Sequence, residues 1–255
     1  MKKRMQVPAR PPAPQEPGDS YPMRINKYLA FKGYSTRRGA DEMVAKGQVM
    51  LGGKKAQLGD KVYESDTVVV SKKAQQRTYR YFAYNKPVGV VTHSAQHSDK
   101  DIKEVLKGVR ELEGVFPIGR LDKDSHGLLI LTDDGRITDR LLNPDSEHDK
   151  EYVVRTREKL RNSFKTNMER GVDIEGYVTK DCTVTILGDF TFSITLSEGK
   201  RHQIRRMVSA LHNTVDELKR VRILNIKLGK LRSSEYRPLE GAELETFLKL
   251  IGLGK

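Results

Sequence analysis

The sequence predicts an α+β protein, with a small N-terminal module and a larger domain built on a mixed, mainly antiparallel sheet. In the first 71 residues, helical periodicity and turn residues outline a helix–helix–hairpin unit. In the rest of the chain, strand and helix patterns alternate irregularly, which favours an α+β domain over a doubly wound parallel sheet. The charge also divides the chain, since residues 1–78 contain 16 Lys or Arg against 7 Asp or Glu.

Composition and proline usage set the outer limits of the two domains. Six of the ten prolines fall within the first 22 residues, where few apolar residues are present. Such a segment buries too little surface to offset the entropy of ordering, so we predict a disordered tail over residues 1–21. The module then spans residues 22–71, a polar linker covers 72–79, and the larger domain covers 80–255.

The elements of the N-terminal module follow from periodicity and turn signals. Ile25, Tyr28 and Leu29 have the spacing of one helix face, and Ser35 or Thr36 can cap a second helix. Gly52-Gly53-Lys54 follows the apolar run of residues 48–51 as a tight hairpin turn would. The predicted helices cover residues 24–30 and 37–45, and the predicted strands cover 48–51 and 66–70.

The larger domain shows six strand patterns and four helical patterns. Apolar and β-branched runs predict strands at 81–84, 128–132, 151–155, 182–186, 192–196 and 221–228. Helical spacing of apolar residues predicts helices at 102–107, 158–170, 203–211 and 242–251.

Several classes of protein are excluded by the sequence. No apolar run approaches the roughly 20 residues of a membrane-spanning helix. The single cysteine, Cys182, excludes an intramolecular disulfide framework and a cysteine-rich zinc module. The chain lacks a Walker loop, a dinucleotide fingerprint and an H-E-x-x-H motif. An N-terminus without an apolar signal core then predicts a cytoplasmic protein without a membrane partner.

The net charge of +13 points to a polyanionic partner. Because the excess is concentrated in the small module, we expect that module to bind nucleic acid on behalf of the larger domain. An anionic lipid surface is the alternative, but no exposed apolar helix face accompanies the charge.

Residues 119–132 carry the strongest chemical signal. Asp122, Asp124 and Gly127 match three positions of a calcium loop, but the remaining ligand positions do not fit and an apolar strand follows. Two interpretations remain from the residues alone. The segment is either a loop that carries an acidic side chain into a cleft or an Asp-Gly turn with solvated charges.

A second segment places basic residues at the start of a predicted helix. Residues 197–207 read Ser-Glu-Gly-Lys-Arg-His-Gln-Ile-Arg-Arg-Met. Cations are unfavourable at a helix N-terminus, so this placement suggests an anionic partner at that end. A solvated basic face is the ordinary alternative.

Taken together, four motifs resemble the RsuA-type pseudouridine synthases, which modify ribosomal RNA. Asn85-Lys86-Pro87 resembles the opening motif of the family, residues 119–129 its catalytic motif, Lys150-Glu151-Tyr152 its tyrosine segment, and residues 198–207 its arginine segment. The N-terminal module is similar to the α-L RNA-binding domain shared with a ribosomal small-subunit protein. The resemblance spans residues 23–251.

The resemblance implies the roles of the central residues. Asp122 would be the catalytic carboxylate, kept ionised by Arg205, because a nearby guanidinium favours the charged form of a carboxylate. Tyr152 would stack on the uracil and help to move the C5 proton. The target base would leave its stack, and Arg120 would fill the vacated space. No metal or organic cofactor is implied.

The remaining predicted site residues are cations that would contact RNA. In the larger domain they are Lys86, Lys200, Arg201 and Arg206, together with Arg120. In the module they are Arg24, Lys27, Arg37, Arg38, Lys46 and Lys54.

One departure and two further segments bear on the substrate. Arg201-His202 stands where relatives of this type tend to have Asn-Arg, and the His-Gln-Ile-Arg form of this chain also resembles the RluA-type enzymes. Residues 115–118 and 179–182 resemble the branch that acts on the large ribosomal subunit. We therefore predict a monomeric enzyme acting on a 23S rRNA stem-loop or a pre-ribosomal particle. The alternatives are 16S rRNA, a tRNA anticodon arm, or a non-catalytic ribosome-binding factor.

Overall fold

A computed structural model describes residues 21–32, 34–71, 78–92, 100–142 and 147–254. The predicted tail, except Tyr21, and residues 72–77 of the predicted linker lie outside the described residues. Those that are described divide into two compact units, one within residues 1–76 and the other within 77–255. In the ranges given above, no helix is long and apolar enough to cross a membrane.

The N-terminal unit packs two short helices against small strands. Ile25 and Leu29 of the first helix contact Ala40 and Val44 of the second in one buried core. The second helix begins where predicted, because the Thr36 hydroxyl accepts a hydrogen bond from Gly39 N at 2.9 Å. The elements are β1 (Met23–Arg24), α1 (Ile25–Phe31), α2 (Arg37–Ala45), β2 (Val49–Leu51), β3 (Lys54–Lys55), β4 (Lys61–Val62) and β5 (Val68–Val70).

The second unit is built on one large sheet flanked by five helices in its described part. Its strands are β6 (Tyr81–Lys86), β7 (Phe116–Ile118), β8 (His126–Thr132), β9 (Lys150–Thr156), β10 (Thr183–Gly188), β11 (Thr191–Leu196), β12 (Val215–Ile223), β13 (Ile226–Lys227) and β14 (Tyr236–Pro238). Its helices are α3 (Ile102–Val105), α4 (Arg136–Leu142), α5 (Phe164–Glu169), α6 (Gln203–Ala210) and α7 (Gly241–Leu250).

The sheet is mixed and mainly antiparallel. Its main path runs β10-β11-β9-β12-β8-β6-β14, while β7 pairs with β8 and β13 pairs with β12. Among the described strands, only β12 and β8 run parallel. The predicted α+β class, with a small module and a mainly antiparallel larger domain, is confirmed.

Apolar side chains anchor the helices to the two halves of the sheet. α5 and α6 bury Phe164 and Met207 against β9, β11 and β12. α4 and α7 bury Ile137 and Phe247 against β6 and β8. The alternation along β8 explains its continuous apolar run, because Leu128 and Leu129 belong to different core clusters. This packing makes the centre of the sheet a rigid support.

Some predicted elements differ from the observed ones. The strand predicted at 221–228 begins six residues earlier in the structure, as β12. The prediction missed this start because the first part of β12 carries charged residues and lacks an apolar pattern, and the segment is a strand because it pairs with its neighbours. The helix predicted at 158–170 is confined to α5. The sequence patterns missed α4, β7 and β14, which are short elements.

Candidate active site

Asp122 lies on a short loop between β7 and β8, and this loop is fixed on both sides of the residue. The Thr92 hydroxyl donates to Leu121 O at 2.8 Å and accepts from Leu121 N at 3.1 Å. Gly89 N donates to Lys123 O at 2.8 Å. The Asp122 side chain is 38% exposed. The loop therefore presents a partly accessible carboxylate from a well-anchored backbone.

A row of residues crosses four adjacent strands at the end of β8 that receives this loop. Tyr152 on β9 is opposite Arg220 on β12, Arg220 is opposite Gly127 on β8, and Gly127 is opposite Lys86 on β6. Directly paired residues project from the same face of a sheet. The row therefore places an aromatic ring and two cations along one face, interrupted by a glycine.

Gly127 is required in this row by the backbone. Its φ is +107°, and a Cβ at this position would lie 2.3 Å from Arg220 O. Only glycine allows β8 and β12 to approach this closely. The close approach also lets the Arg220 guanidinium donate to Leu128 O at 2.7 Å and to Arg120 O at 3.3 Å. Arg220 thus ties the row directly to the Asp122 loop.

The cations of the row lie beneath the surface. Lys86 is fully buried, and its Nζ donates to Pro87 O at 2.8 Å and to Val90 O at 2.6 Å. Burial lowers the pKa of Lys86 to about 8, against the opposing attraction of Asp122. Burial and then Arg220 lower the pKa of Lys150, two residues before Tyr152. The positive charge of Lys86 attracts an anion at the site of the Asp122 carboxylate.

His202 is the side chain that contacts the Asp122 carboxylate among the described residues. Its Nδ1 lies 3.2 Å from Asp122 Oδ2, and its side chain is 41% exposed. The residue directly precedes α6 and has a left-handed backbone with φ of +50°. Asp122 and His202 therefore come together from two segments that are 80 positions apart.

Buried hydrogen bonds hold the segment that carries His202. The buried Glu198 carboxylate accepts from Gln203 Nε2 at 2.6 Å, from Tyr177 Oη at 2.7 Å and from Lys180 N at 3.0 Å. Gln203 Oε1 in turn accepts from Lys200 N at 2.8 Å. This network constrains the turn on both sides of His202.

A partly exposed carboxylate, on a loop joined to a row of residues that holds two buried cations and a strand tyrosine, is suited to chemistry on a planar base and its sugar. Residues 80–210 match the family described as RNA pseudouridylate synthase. The chain belongs to this family. It is an isomerase that acts on RNA, as the resemblance of its motifs predicted.

Individual relatives of the synthase agree with this assignment. It is 38% identical over 233 residues to the dual-specificity RNA pseudouridine synthase RluF of Escherichia coli K12, covering 90% of the chain and 79% of the relative. It is 33% identical to the ribosomal large subunit pseudouridine synthase B of Bacillus subtilis, with 91% and 98% covered. A crystal structure of a pseudouridylate synthase matches with a TM-score of 0.64 at 27% identity, covering 90% and 99%.

The N-terminal unit of the synthase carries an RNA-binding type of domain. Residues 23–68 match the S4 domain. Of the predicted RNA contacts, Arg24, Arg37, Arg38, Lys46 and Lys54 are exposed, and Lys27 is half-buried. Lys46 lies 3.7 Å from Glu42 in a solvent-exposed ion pair.

The sequence predicted that Arg205 would lie beside the Asp122 carboxylate. In the structure of the synthase, Arg205 does not contact that carboxylate. Its guanidinium lies 3.2 Å from Asp124 O and 3.4 Å from Ser125 Oγ, and it also lies 3.4 Å from Val215 O. The Arg205 side chain therefore contacts the loop that carries Asp122 two and three positions after the carboxylate. His202, one turn earlier, takes the position beside Asp122.

Two of the predicted RNA contacts are occupied within the protein. Lys86 is buried below Asp122 and offers no exposed charge to RNA, because its ammonium is directed at backbone carbonyls. Arg206 donates to Ile174 O at 2.6 Å and pairs with Glu175 at 2.7 Å.

The other predicted RNA contacts of the larger unit are exposed. Arg120, Lys200 and Arg201 all reach solvent. The Lys200 ammonium lies 4.4 Å from the centre of the Tyr177 ring, which orients it by a cation–π contact.

Sequence reasoning missed two residues of the site, His202 and Arg220. Arg220 lies in a charged strand whose pattern resembles a surface segment. His202 was noted only as a departure within the arginine segment. Its position between two basic residues and a helix start was a usable signal, since an imidazole there can meet a carboxylate from another loop.

Proposed function

We propose that this synthase isomerises a specific uridine in a 23S rRNA stem-loop, with Asp122 as the catalytic carboxylate. The observation that carries the proposal is the placement of Asp122 on an anchored loop beside the row formed by Tyr152, Arg220, Gly127 and Lys86. The Arg220 guanidinium joins this row to the loop by its contact with Arg120 O.

Uridine isomerisation breaks the bond between N1 and C1′, turns the uracil and joins C5 to C1′. The ionised Asp122 acts at the ribose, either by attack on carbon or by removal of a proton. The partly exposed carboxylate is accessible for either step, and the buried cations beneath it favour an anion there. The C5 proton leaves after the new bond forms, with the Tyr152 hydroxyl as the group that helps to move it.

The substrate base must leave its stack to reach Asp122, at a cost of a few kcal/mol. Tyr152 offers a half-buried ring on which a uracil can stack, packed against the core formed by α5 and α6. Arg120 is exposed two residues before Asp122, while its carbonyl is held by Arg220. Its side chain is therefore free to fill the space that the base leaves. Arg205 supports catalysis by holding the loop at Asp124 O and Ser125 Oγ.

The S4 domain supplies affinity for the RNA backbone. Its exposed cations suit A-form RNA, which is recognised by shape and phosphate contacts. In the larger unit, Lys200 and Arg201 are exposed next to His202, and they add phosphate contacts near the reacting nucleotide.

The large ribosomal subunit is the substrate best supported by the relatives. The Bacillus subtilis relative is named for that subunit, and it is matched over 98% of its length. The name of the Escherichia coli relative states dual specificity, which supports a second RNA target. For that second target, 16S rRNA and a tRNA anticodon arm are the two alternatives.

Pseudouridine mapping of total RNA tests substrate and activity together. Cells lacking the gene would be complemented with wild type, Asp122→Asn or Asp216→Asn. Asp216 is the matched control, since its carboxylate is 41% exposed and pairs with Arg155 at 2.8 Å. We expect the modified uridine to return with wild type and Asp216→Asn only.

Purified protein gives the same test quantitatively. Asp122→Asn should lower the single-turnover rate by about 1000-fold or more, as for the loss of other catalytic groups. Its affinity for the RNA should stay within about twofold, because phosphate contacts dominate binding. Modification by Asp122→Asn at the wild-type rate would exclude Asp122 as the catalytic group.

A further inference from the structure

We propose that His202 is a positioning residue for Asp122 and that it makes the rate of isomerisation dependent on pH. The inference rests on the proposed function of Asp122. It starts from the contact between His202 Nδ1 and Asp122 Oδ2 at 3.2 Å. Imidazole side chains in general change charge between about pH 5 and pH 8, and a protonated imidazole holds a carboxylate more strongly, so the strength of this contact depends on pH.

The conformation of His202 is built into the fold. A non-glycine residue with φ of +50° is uncommon and persists where its surroundings hold it. The buried Glu198–Gln203 pair and the hydrogen bond from Lys200 N to Gln203 Oε1 fix the turn on both sides. Since the backbone of the Asp122 loop is likewise fixed by Thr92 and Gly89, the two segments hold the imidazole and the carboxylate within reach of each other.

Arg205 makes its contacts away from the Asp122 carboxylate, which is contacted by the His202 imidazole. Its guanidinium is used by the carbonyls of Asp124 and Val215 and by Ser125 Oγ. A guanidinium would hold its charge at every pH of the cell, whereas an imidazole does not. The identity of the side chain beside Asp122 therefore decides whether the site responds to pH.

Other charged groups lie on the elements next to the pair. Lys86 on β6 interacts with Asp122, and Arg220 on β12 and Asp124 on the loop interact with that lysine. Arg205 lies on α6, and Lys200 and Arg201 belong to the same turn as His202. The pKa of Lys86, lowered to about 8 by burial, places its loss of charge at the alkaline end of the same range. Its contribution is separated from that of His202 by substituting His202 alone.

A protonated His202 holds the Asp122 carboxylate in one orientation by a charge-assisted hydrogen bond. Loss of that charge weakens the contact and lets the carboxylate turn away from the ribose. The pair is about 40% exposed, so solvent moderates the effect. We expect the single-turnover rate of wild type to fall by about threefold to tenfold from pH ~5.5 to pH ~8.

Two substitutions of His202 separate charge from geometry. His202→Arg keeps a cation at every pH, so the rate should stay high and lose the fall across this range. His202→Asn keeps a polar group and tolerates the left-handed backbone, so the rate should be low at both ends of the range. The Kd for RNA should change by less than about twofold in both variants, since the pair acts on Asp122 and phosphate contacts dominate binding.

The chain contains a matched control for the loss of an imidazole. His212 lies just after the other end of α6, is exposed, and has φ of +60°. His212→Asn should keep the wild-type rate and pH profile.

Three outcomes would overturn the inference. They are wild-type rates and pH dependence in His202→Asn, a persistent fall in His202→Arg, or an effect confined to the Kd for RNA. The last would make His202 an RNA contact. Asp122→Asn is measured in parallel, because full activity of that variant would overturn the proposed function itself. If Asp122→Asn is inactive, the rates of the His202 variants alone decide whether His202 positions the carboxylate.

Discussion

The two units use their basic side chains and glycines in different ways. In the S4 domain, Arg37 and Arg38 are exposed at the start of α2, and the hairpin Gly53 has nothing within 4 Å of the place where a Cβ would stand. In the larger unit, Lys86 and Arg220 are buried, and Gly127 lies against the backbone of β12. Replacing one of these basic residues or glycines in the first unit therefore has a local effect only. In the second unit, the buried cations and Gly127 support the candidate site.

This difference follows from what each unit has to do. Binding an RNA backbone requires cations that reach phosphate oxygens, and exposed side chains achieve this with little constraint. Holding a carboxylate for reaction requires its neighbours to be fixed, which the hydrogen-bonded row beneath Asp122 provides. Equivalent substitutions in the two units should thus have unequal consequences.

The largest difference should appear when one glycine of each unit is replaced by alanine. Gly127→Ala brings a Cβ to 2.3 Å from Arg220 O and adds strain at φ of +107°. It should lower the free energy of unfolding by about 3 kcal/mol or more and abolish activity. Gly53→Ala adds only the strain of its φ of +78°, about 1 kcal/mol. Denaturant unfolding of both variants measures the contrast, and equal costs would contradict it.

A smaller effect should accompany the buried charge of Lys86. Its pKa of about 8 is lower than the value of about 10.4 for an exposed lysine, because burial disfavours the ammonium. Between these two pH values the unfolded chain binds more protons, so the stability that this group contributes rises with pH. The difference in unfolding free energy between wild type and Lys86→Met should increase in favour of wild type from pH ~8 to pH ~10.4. A constant difference would show that Lys86 is not buried as a charge.

The smallest effect on stability, with a clear effect on binding, is expected for the exposed cations of the S4 domain. Arg37→Gln combined with Arg38→Gln should leave unfolding unchanged but raise the Kd for RNA. The slope of log K against log salt should fall by about 1.5, for two lost phosphate contacts. Lys159→Gln is the control, since this exposed lysine of the larger unit pairs with Asp189 at 2.9 Å. The same slope in both variants would argue against the S4 cations as RNA contacts.

Local signals were sufficient for the elements whose residues decide their own conformation. The bounds of α2 follow from the Thr36 cap and from the apolar face of that helix, and α6 and α7 follow from helical spacing. β12 was misplaced because Asp216, Lys219 and Arg222 interrupt its apolar pattern, and only pairing with β9 and β8 makes it a strand. A strand that depends on its neighbours carries a weak signal of its own.

The sequence by itself determined the α+β class, the enzyme family, and Asp122 and Tyr152 as candidates for catalysis, since these depend on contiguous motifs and local periodicity. The tertiary structure decided which cation stands beside Asp122. Arg205 and His202 are three positions apart on the same segment, so spacing along the chain favours neither. The docking of α6 directs Arg205 to a backbone carbonyl of the loop and brings His202 to the carboxylate instead. The burial of Lys86 could not be predicted from the sequence either, because it depends on the packing of the sheet around this lysine and not on the neighbouring residues in the chain.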